Sequence, residues 1–280
     1  MYAPERQAAI AARVGRQARV SVSDLAAEHA VTTETVRRDL AVLERAGALR
    51  RVHGGAVSPA ALAVPETRVE ERDRIASDAK DRIAAAALGQ LPPGTTSVAL
   101  DAGSTTGRLA GLLATSPAAL AEGAALVVVT HAVHLAARLV GVPGVELQLV
   151  GGRVRPTTQA AVGAEAVRAL DDLRVDVAVL GANGFSAEAG FTTPDAEEAA
   201  VKRALVRSAG LVVVVADARK AGRQDLHRFA RLEEVDVLVT DTALDGPAAG
   251  GAPVDDAPGG PASTAELEAL RAAGVDLVLA

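Results

Sequence analysis

Polar side chains follow several apolar stretches in the second half of the chain, at the point where each stretch ends. These polar residues and the glycines between them are Asp101, Gly103, Ser104, Thr105, Thr106, Thr130, His131, Gly151, Gly152, Arg153, Arg155, Asn183, Asp217 and Lys220. Lys202, on the helix opened by Thr193-Pro194, completes the set. Such a set suits a phosphorylated polyol, because cations and amides hold phosphate while carboxylates accept from sugar hydroxyls. A structural role stays open for each: Arg155 can be solvated, and Asp217 can cap a turn.

The run Asp101-Ala-Gly-Ser-Thr-Thr106 offers the best-defined candidate within this set. Glycine permits close backbone approach, three hydroxyls are available, and free amides at a helix start favour an anion. The run matches neither a P-loop nor the dinucleotide-binding G-x-G-x-x-G pattern. A capped helix without a ligand is an equally good interpretation.

A second set of groups, suited to nucleic acid, lies in residues 21–57. Ser23 is predicted to cap a short helix over 24–29, and Thr32 to cap a second helix. In the second helix Val36, Leu40 and Leu43 recur at helical spacing and bury one face. The face that points outward carries Thr33, Thr35, Arg37 and Arg38, and Ser23 is a further candidate for a DNA contact.

The residues after this helix predict a small basic wing. A strand, a Gly-Gly turn and a second strand would place Arg50, Arg51 and His53 beside a sugar-phosphate backbone. The helix before it has the diameter to enter the major groove, where Arg37 and Arg38 reach a base and a phosphate. The whole predicts a winged helix-turn-helix. The alternative is a solvated arginine face on an ordinary helical domain.

The elements that would position the first set alternate along the rest of the chain. A first helix is predicted at 4–16, and a long charged helix at 66–88. Short β-branched strands are predicted at 96–100, 125–129, 145–150, 175–180, 211–216, 235–239 and 275–279, with helices at 105–114, 131–140, 159–170, 194–209 and 264–273. This order predicts an α/β fold with a mainly parallel sheet, which binds ligands at the carboxyl ends of its strands.

Composition and charge agree with two parts of different character. The first 57 of the 280 residues hold nine arginines and six acidic residues, which gives a net charge of +3. The whole chain has a net charge of −6, so the other residues carry −9. This distribution fits a protein in which only the basic first module contacts the phosphates of a nucleic acid. We expect domains at 1–57 and 66–280, a linker at 58–65, and a surface loop of no assigned function at 245–261.

Other features restrict the class of protein. The chain has no cysteine, which excludes disulfides and thiolate metal sites and fits the cytoplasm. The start does not read as a signal peptide, and no uncharged run of about 20 apolar residues suggests a membrane span. We expect no metal and no cofactor.

The stretch TTETVRRDLAVLERAGALRRVHGGA resembles the signature of the DeoR family of bacterial transcription regulators. The resemblance extends through DAGSTT, VVTH, LVGG, the run Gly190–Arg203 and ADARK. It implies a sensor domain with the fold of ribose-5-phosphate isomerase, glucosamine-6-phosphate deaminase and CoA transferases. It also implies a phosphorylated sugar as effector.

Within the family the chain is most similar to actinobacterial repressors of fructose operons, which implies fructose 1-phosphate as the effector. Most members have Asn where His131 stands, so sugar contacts do not transfer directly to this position. The resemblance implies a repressor that binds double-stranded operator DNA. We expect a homodimer or homotetramer, because such regulators bind paired half-sites.

An enzyme fused to a DNA-binding module is the alternative function. An isomerase or deaminase needs an acid and a base within reach of the reacting carbons. Asp101, Glu197, Glu198 and His131 are conceivable, but their spacing indicates no catalytic pair. Acyl transfer would need a nucleophile at a recognisable turn, and none stands out. We therefore expect a regulator and not an enzyme.

Overall fold

A computed structural model of the chain describes residues 2–17, 19–45, 48–52, 54–57, 67–115, 125–241 and 264–280. The chain divides into two compact units, the first from Met1 to Glu66 and the second beginning at Thr67. The predicted linker at 58–65 and the loop at 245–261 lie outside the described residues, so the domain boundaries stay a prediction. No helix among the described residues is long and apolar enough to cross a membrane.

In its described residues, the first unit consists of three helices and a three-stranded antiparallel sheet. The helices are α1 Ala3–Gln17, α2 Val22–Glu28 and α3 Thr33–Arg45, and the strands are β1 Arg19–Ser21, β2 Arg50–Val52 and β3 Gly55–Val57. The strand order is β1-β3-β2, so a strand that precedes the helix pair completes the predicted wing. Val36, Leu40 and Leu43 are buried in its core as predicted.

The cap of α2 differs from the prediction. Ser21, with extended backbone, accepts a hydrogen bond from the Asp24 amide at 3.0 Å, whereas Ser23 lies inside the first turn. Strand β1 leads directly into the helix, so its last residue takes the capping position. The cap of α3 is confirmed, because the Thr35 amide donates to Thr32 Oγ1 at 3.2 Å.

The second unit is built on a seven-stranded sheet in the order β15-β14-β12-β9-β4-β5-β6, and every neighbouring pair is parallel. Its strands are β4 Ser97–Leu100, β5 Leu126–Thr130, β6 Val145–Leu149, β9 Val175–Gly181, β12 Ala209–Val215, β14 Val237–Thr240 and β15 Asp276–Leu279. Its helices are α4 Val69–Arg74, α5 Ser77–Leu88, α6 Ser104–Thr115, α7 Val133–Leu139, α8 Ala164–Asp171, α9 Ala196–Ser208 and α10 Thr264–Ala272. Two apolar clusters form its core.

Two small antiparallel sheets were not predicted. One pairs β7 Arg153–Arg155 with β8 Ala160–Val162, and the other joins β10 Gly184–Ser186, β11 Gly190–Thr193 and β13 His227–Ala230. The helix predicted at 159–170 therefore starts only at Ala164. Gly163 separates β8 from α8 with φ of 100°, a conformation that costs glycine little.

The predicted helix at 66–88 is broken into α4 and α5 at Ile75 and Ala76. Ala76 has φ of 50°, in the left-handed region that an alanine rarely adopts. The Lys80 ammonium donates to the Ile75 carbonyl at 2.6 Å and also to the Arg72 carbonyl, both at the end of α4. Arg108 of α6 holds the same bend through Asp73 on one side and Asp81 on the other. A lysine one turn further on and an arginine of α6 therefore stabilise the break.

Candidate functional site

The exposed face of α3 presents the predicted DNA-binding side chains. Arg37 and Arg38 are largely exposed, and Glu34 lies near both, at 3.9 Å from Arg37 and 3.3 Å from Arg38. Thr33 is exposed, while Thr35 is half-buried and shares a hydroxyl contact of 2.9 Å with Thr32. The two guanidinium groups are thus available to a polyanion, with one carboxylate between them.

Other charged residues of this unit hold its helices together. Arg6 Nε lies 2.6 Å from Asp39 Oδ2 in a buried ion pair, and Gln7 donates to the other Asp39 oxygen at 2.8 Å. Arg13 pairs with Glu28. Two of the nine arginines that make this part basic therefore connect α1 to α3 and α2.

The remaining predicted DNA contacts are less fully described. Arg50 and Arg51 lie on β2 in the wing, but their side chains and the whole of His53 are outside the described residues. Ser23 is exposed on α2, where its hydroxyl lies 2.9 Å from that of Ser21. Contact of these residues with DNA stays a prediction.

In the second unit, Asp101, His131 and Lys202 are brought together at the carboxyl ends of β4 and β5. The Lys202 ammonium pairs with Asp101 Oδ2 and also donates to the Gly181 carbonyl at 2.8 Å. The Gly181 amide donates to Asp101 at 2.9 Å. Burial alone raises the pKa of the Asp101 carboxyl, but Lys202 and His131 outweigh it and lower that pKa to about 2.

His131 joins this cluster to the β7–β8 hairpin. Its Nδ1 lies 2.9 Å from the Ala161 carbonyl, which only accepts, so Nδ1 carries a proton. Its Nε2 lies 3.2 Å from the Ala102 amide and 3.1 Å from Asp101 Oδ1. The neutral ring accepts from Ala102, and the protonated ring can donate to Asp101. Both ring nitrogens thus contact the protein.

A second cluster of charged residues, Asp217, Lys220 and Lys80, lies at the end of β12. Lys220 Nζ donates to the Ala182 carbonyl at 2.7 Å and lies 3.8 Å from Asp217 Oδ2. Burial and the nearby Lys220 lower the pKa of Lys80 to about 8, although Asp217 opposes this. Burial also lowers the pKa of Lys220, against the effect of Asp217. Sequence reasoning missed Lys80, because nothing in the helical run around it marks it as part of a site.

The Asp101–Thr106 loop has the predicted form. Helix α6 begins at Ser104, and its first helical bond runs from the Gly107 amide to the Gly103 carbonyl at 3.0 Å. The amides of Ser104, Thr105 and Thr106 therefore precede the hydrogen-bonded part of the helix. The Thr106 hydroxyl is bonded to Gly103, whereas those of Ser104 and Thr105 have no hydrogen bond within the described part of the chain.

The two arginines of β7, Arg153 and Arg155, contact the start of α9. Arg153 pairs with Glu197, and Arg155 pairs with Glu198 and lies 3.4 Å from Asp195. Gly152, with φ of 149°, lies so near β8 that a Cβ would be 2.8 Å from the Val162 carbonyl. These pairs give both arginines a structural partner, while their contact with an effector stays a prediction.

The other predicted residues are bonded within the protein. The Thr130 hydroxyl donates to the Leu100 carbonyl at 2.8 Å and accepts from the Ala132 amide. Asn183 Oδ1 accepts from Thr193 at 3.2 Å. The described residues contain no group of three or more His, Cys, Asp or Glu side chains that could hold a metal ion.

The chain thus combines a winged helix-turn-helix with a separate α/β unit whose strand ends carry buried charges, which defines a class of DNA-binding regulator. Residues 6–61 match the DeoR-like helix-turn-helix domain, and residues 75–242 match the DeoR C terminal sensor domain. The chain belongs to the DeoR family of transcription regulators.

Similar proteins of known name are regulators as well. The chain is 31% identical over 276 residues to a protein of Escherichia coli O157:H7 named provisionally as the aga operon transcriptional repressor, covering 98% of this chain and 93% of that one. It is 32% identical over 241 residues to the uncharacterized HTH-type transcriptional regulator FruR of Bacillus subtilis, covering 86% and 92%. The expectation of a regulator, and not an enzyme, is confirmed.

Solved structures match about half of the chain. A ribose 5-phosphate isomerase A from Methanocaldococcus jannaschii matches with 17% identity and a TM-score of 0.37, over 52% of this chain and 54% of that one.

Proposed function

We propose that this protein represses an operon for the uptake and catabolism of a sugar and is released from its operator by a phosphorylated form of that sugar. Helix α3 would enter the major groove, with Arg37 and Arg38 at base edges and phosphates. The wing strand β2 would follow the backbone through Arg50 and Arg51. The protein would act in the cytoplasm as a homodimer or homotetramer.

The observation that carries the effector part of this proposal is the position of the lysines. The chain has 26 arginines and only three lysines. All three lysines, Lys80, Lys202 and Lys220, lie near the carboxyl ends of the strands. Lysine is a compact charge that suits a phosphate, and the lowered pKa of Lys80 reflects burial and the proximity of another ammonium. A phosphate dianion would relieve that repulsion.

The amides at the start of α6 offer a second group of donors for the same phosphate. The unbonded hydroxyls of Ser104 and Thr105 would add two more. Asn183 and Asp217, on neighbouring strand ends, would contact the sugar hydroxyls. Asp101, His131 and Lys202, which are almost wholly buried, would hold these strand ends in place around the effector.

Fructose 1-phosphate is the first candidate effector, on the resemblance to fructose-operon repressors and the relative named FruR. Fructose 6-phosphate and a galactose-derived phosphate follow. An effector releases the operator only if it binds the form with low DNA affinity more tightly. By reciprocity, operator DNA must weaken effector binding by the same factor, about 5- to 150-fold for couplings of this kind.

The test is a titration of the protein–operator complex with each sugar phosphate, with unphosphorylated fructose and with inorganic phosphate. We expect one sugar phosphate to release the DNA. Lys220→Ala and Thr105→Ala should leave DNA affinity nearly unchanged and abolish release. Arg174→Ala is the matched control, because Arg174 precedes β9 at the opposite edge of the sheet. Normal release in both site variants would contradict the proposed effector site.

A further inference from the structure

Strand β6 ends the seven-stranded sheet, and no described strand pairs with its outer side. The Leu126 amide donates to the Gly144 carbonyl, and the Val150 amide to the Thr130 carbonyl, both at 2.8 Å. In a regular parallel ladder, alternate residues of a strand bond to the same neighbour. These two bonds therefore place the backbone amides and carbonyls of Glu146 and Gln148 towards β5, and those of Leu147 and Leu149 outward. Within the described residues those outward groups have no hydrogen-bond partner, so this edge can accept another strand.

The side chains around this edge are unusually apolar. Eight large hydrophobic side chains are exposed among the described residues, and four of them lie between positions 133 and 154: Val133, Val140, Leu149 and Val154. Leu149 is 52% exposed and Val140 is 68% exposed. Leu149 on β6 and Val140, which ends the helix packed on β6, are therefore exposed apolar groups at an unpaired strand, and such groups indicate a surface that another protein covers.

Helix α7, which packs on β6, contributes a stripe to the same surface. Leu135 and Leu139 face the core, while Arg138 bonds to the Gly107 carbonyl of α6 and His134 also faces that helix. Val133, Ala137 and Val140 are exposed at helical spacing. At about 100° per residue they lie on the flank of α7 away from α6, which is the flank on the side of β6.

The sequence of β6 is complementary to itself in an antiparallel pair. With Leu147 on a two-fold axis, Leu147 meets Leu147 of the second copy and Val145 meets Leu149. On the other face, Glu146 meets Gln148, so the carboxylate can accept from the amide. A pair centred on Glu146 would instead place two carboxylates opposite each other, which is unfavourable. The charge pattern thus favours the register centred on Leu147 over the one centred on Glu146.

We propose that two copies of this chain associate through β6, forming one continuous sheet across a two-fold axis, with the α7 stripes packed beside it. The Leu147 amide of each copy donates to the Leu147 carbonyl of the other, and the Leu149 amide donates to the Val145 carbonyl of the other copy. The Val145 amide takes no part, since it already donates to Val142 within its own chain. Such an interface is isologous and closes on two copies, as paired operator half-sites require.

The experiment is sedimentation equilibrium of the full chain without DNA, with thermal unfolding as a check of folding. Gln148→Glu places a carboxylate opposite each Glu146 and should raise the dissociation constant about 2- to 30-fold. Gln148→Lys, at the same exposed position, should lower it. Leu149→Lys should halve the mass of the assembly, whereas Leu279→Lys at the opposite sheet edge should not.

Hydrogen exchange gives an independent measurement. The Leu147 and Leu149 amides should be protected in the assembled wild type and exchange freely in Leu149→Lys at the same concentration. A monomeric wild type would overturn the proposal. Equal dissociation constants for Gln148→Glu and Gln148→Lys, or dissociation caused by Leu279→Lys, would also overturn it.

Discussion

The ammonium of Lys202 on α9 pairs with the carboxylate of Asp101 at the end of β4, and both side chains are almost wholly buried. The two residues are 101 positions apart in the chain, so the pair connects the helix to the centre of the sheet. Lys202 also lies over the Phe229 ring, 5.1 Å from its centroid, and thereby links the small β10–β11–β13 sheet to the same point.

Lys202→Met should strongly destabilise the second unit, because it leaves Asp101 buried without its cation. Loss of one partner of a buried pair costs about 3–5 kcal/mol. Urea unfolding measures the change. Arg153→Met is the control, since it breaks an exposed pair with Glu197, worth about 0–1 kcal/mol. Equal losses from the two substitutions would contradict the assigned importance of the Asp101–Lys202 pair.

Effector affinity should fall as the pH rises through about 8. The folded-state pKa of Lys80 is lowered to about 8, so its charge, which favours an anion, is present below that pH and lost above it. Calorimetric titrations between pH 7 and pH 9 measure the effect. Lys80→Met should weaken binding and also flatten the pH dependence. An unchanged pH profile in this variant would exclude Lys80 as its source.

Arg37→Ala or Arg38→Ala should weaken operator binding by about 1–3 kcal/mol where the contact is bidentate to guanine. Glu34→Gln should act in the opposite direction, because it removes the carboxylate that lies between the two guanidinium groups. Gel shifts with the native promoter fragment test all three. If neither arginine matters, α3 does not face the groove in the way proposed.

The fragment 66–280 should fold alone, bind the sugar phosphate and fail to bind DNA. It contains every strand of the seven-stranded sheet and both apolar clusters of that unit, while the helix-turn-helix has its own cluster. Circular dichroism, calorimetry and gel shifts test the three properties. Failure of the fragment to fold would mean that the two units share a core.

The sheet could be predicted from sequence because its strands are runs of β-branched residues such as Leu211–Val215, buried by helices on both sides. The buried face of α3 was visible for the same kind of reason, since Val36, Leu40 and Leu43 follow the helical period. Patterns of this kind depend only on neighbours in the chain.

The features that were missed are either too short for a pattern or held by contacts that the residue pattern does not show. Strands β7 and β8 have three residues each, too few for a periodic signal. The break at Ala76 contains no Gly or Pro and is held by Lys80 and Arg108. Ser21 caps α2 only because β1, itself paired with β3, ends there. In the same way, the role of Lys80 follows from a fold that brings it close to Lys220.

The restriction of lysine to one edge of the sheet also determines how the chain reacts with amine-specific reagents. Apart from the α-amino group, every primary amine of the protein is at Lys80, Lys202 or Lys220. Burial lowers the pKa of both Lys80 and Lys220, but acylation would favour Lys220, because its side chain is 25% exposed whereas Lys80 is 2% exposed. Apart from the α-amino group, covalent labelling therefore reports on these lysines, and protection by a bound sugar phosphate can be followed by mass spectrometry without altering an arginine of α3.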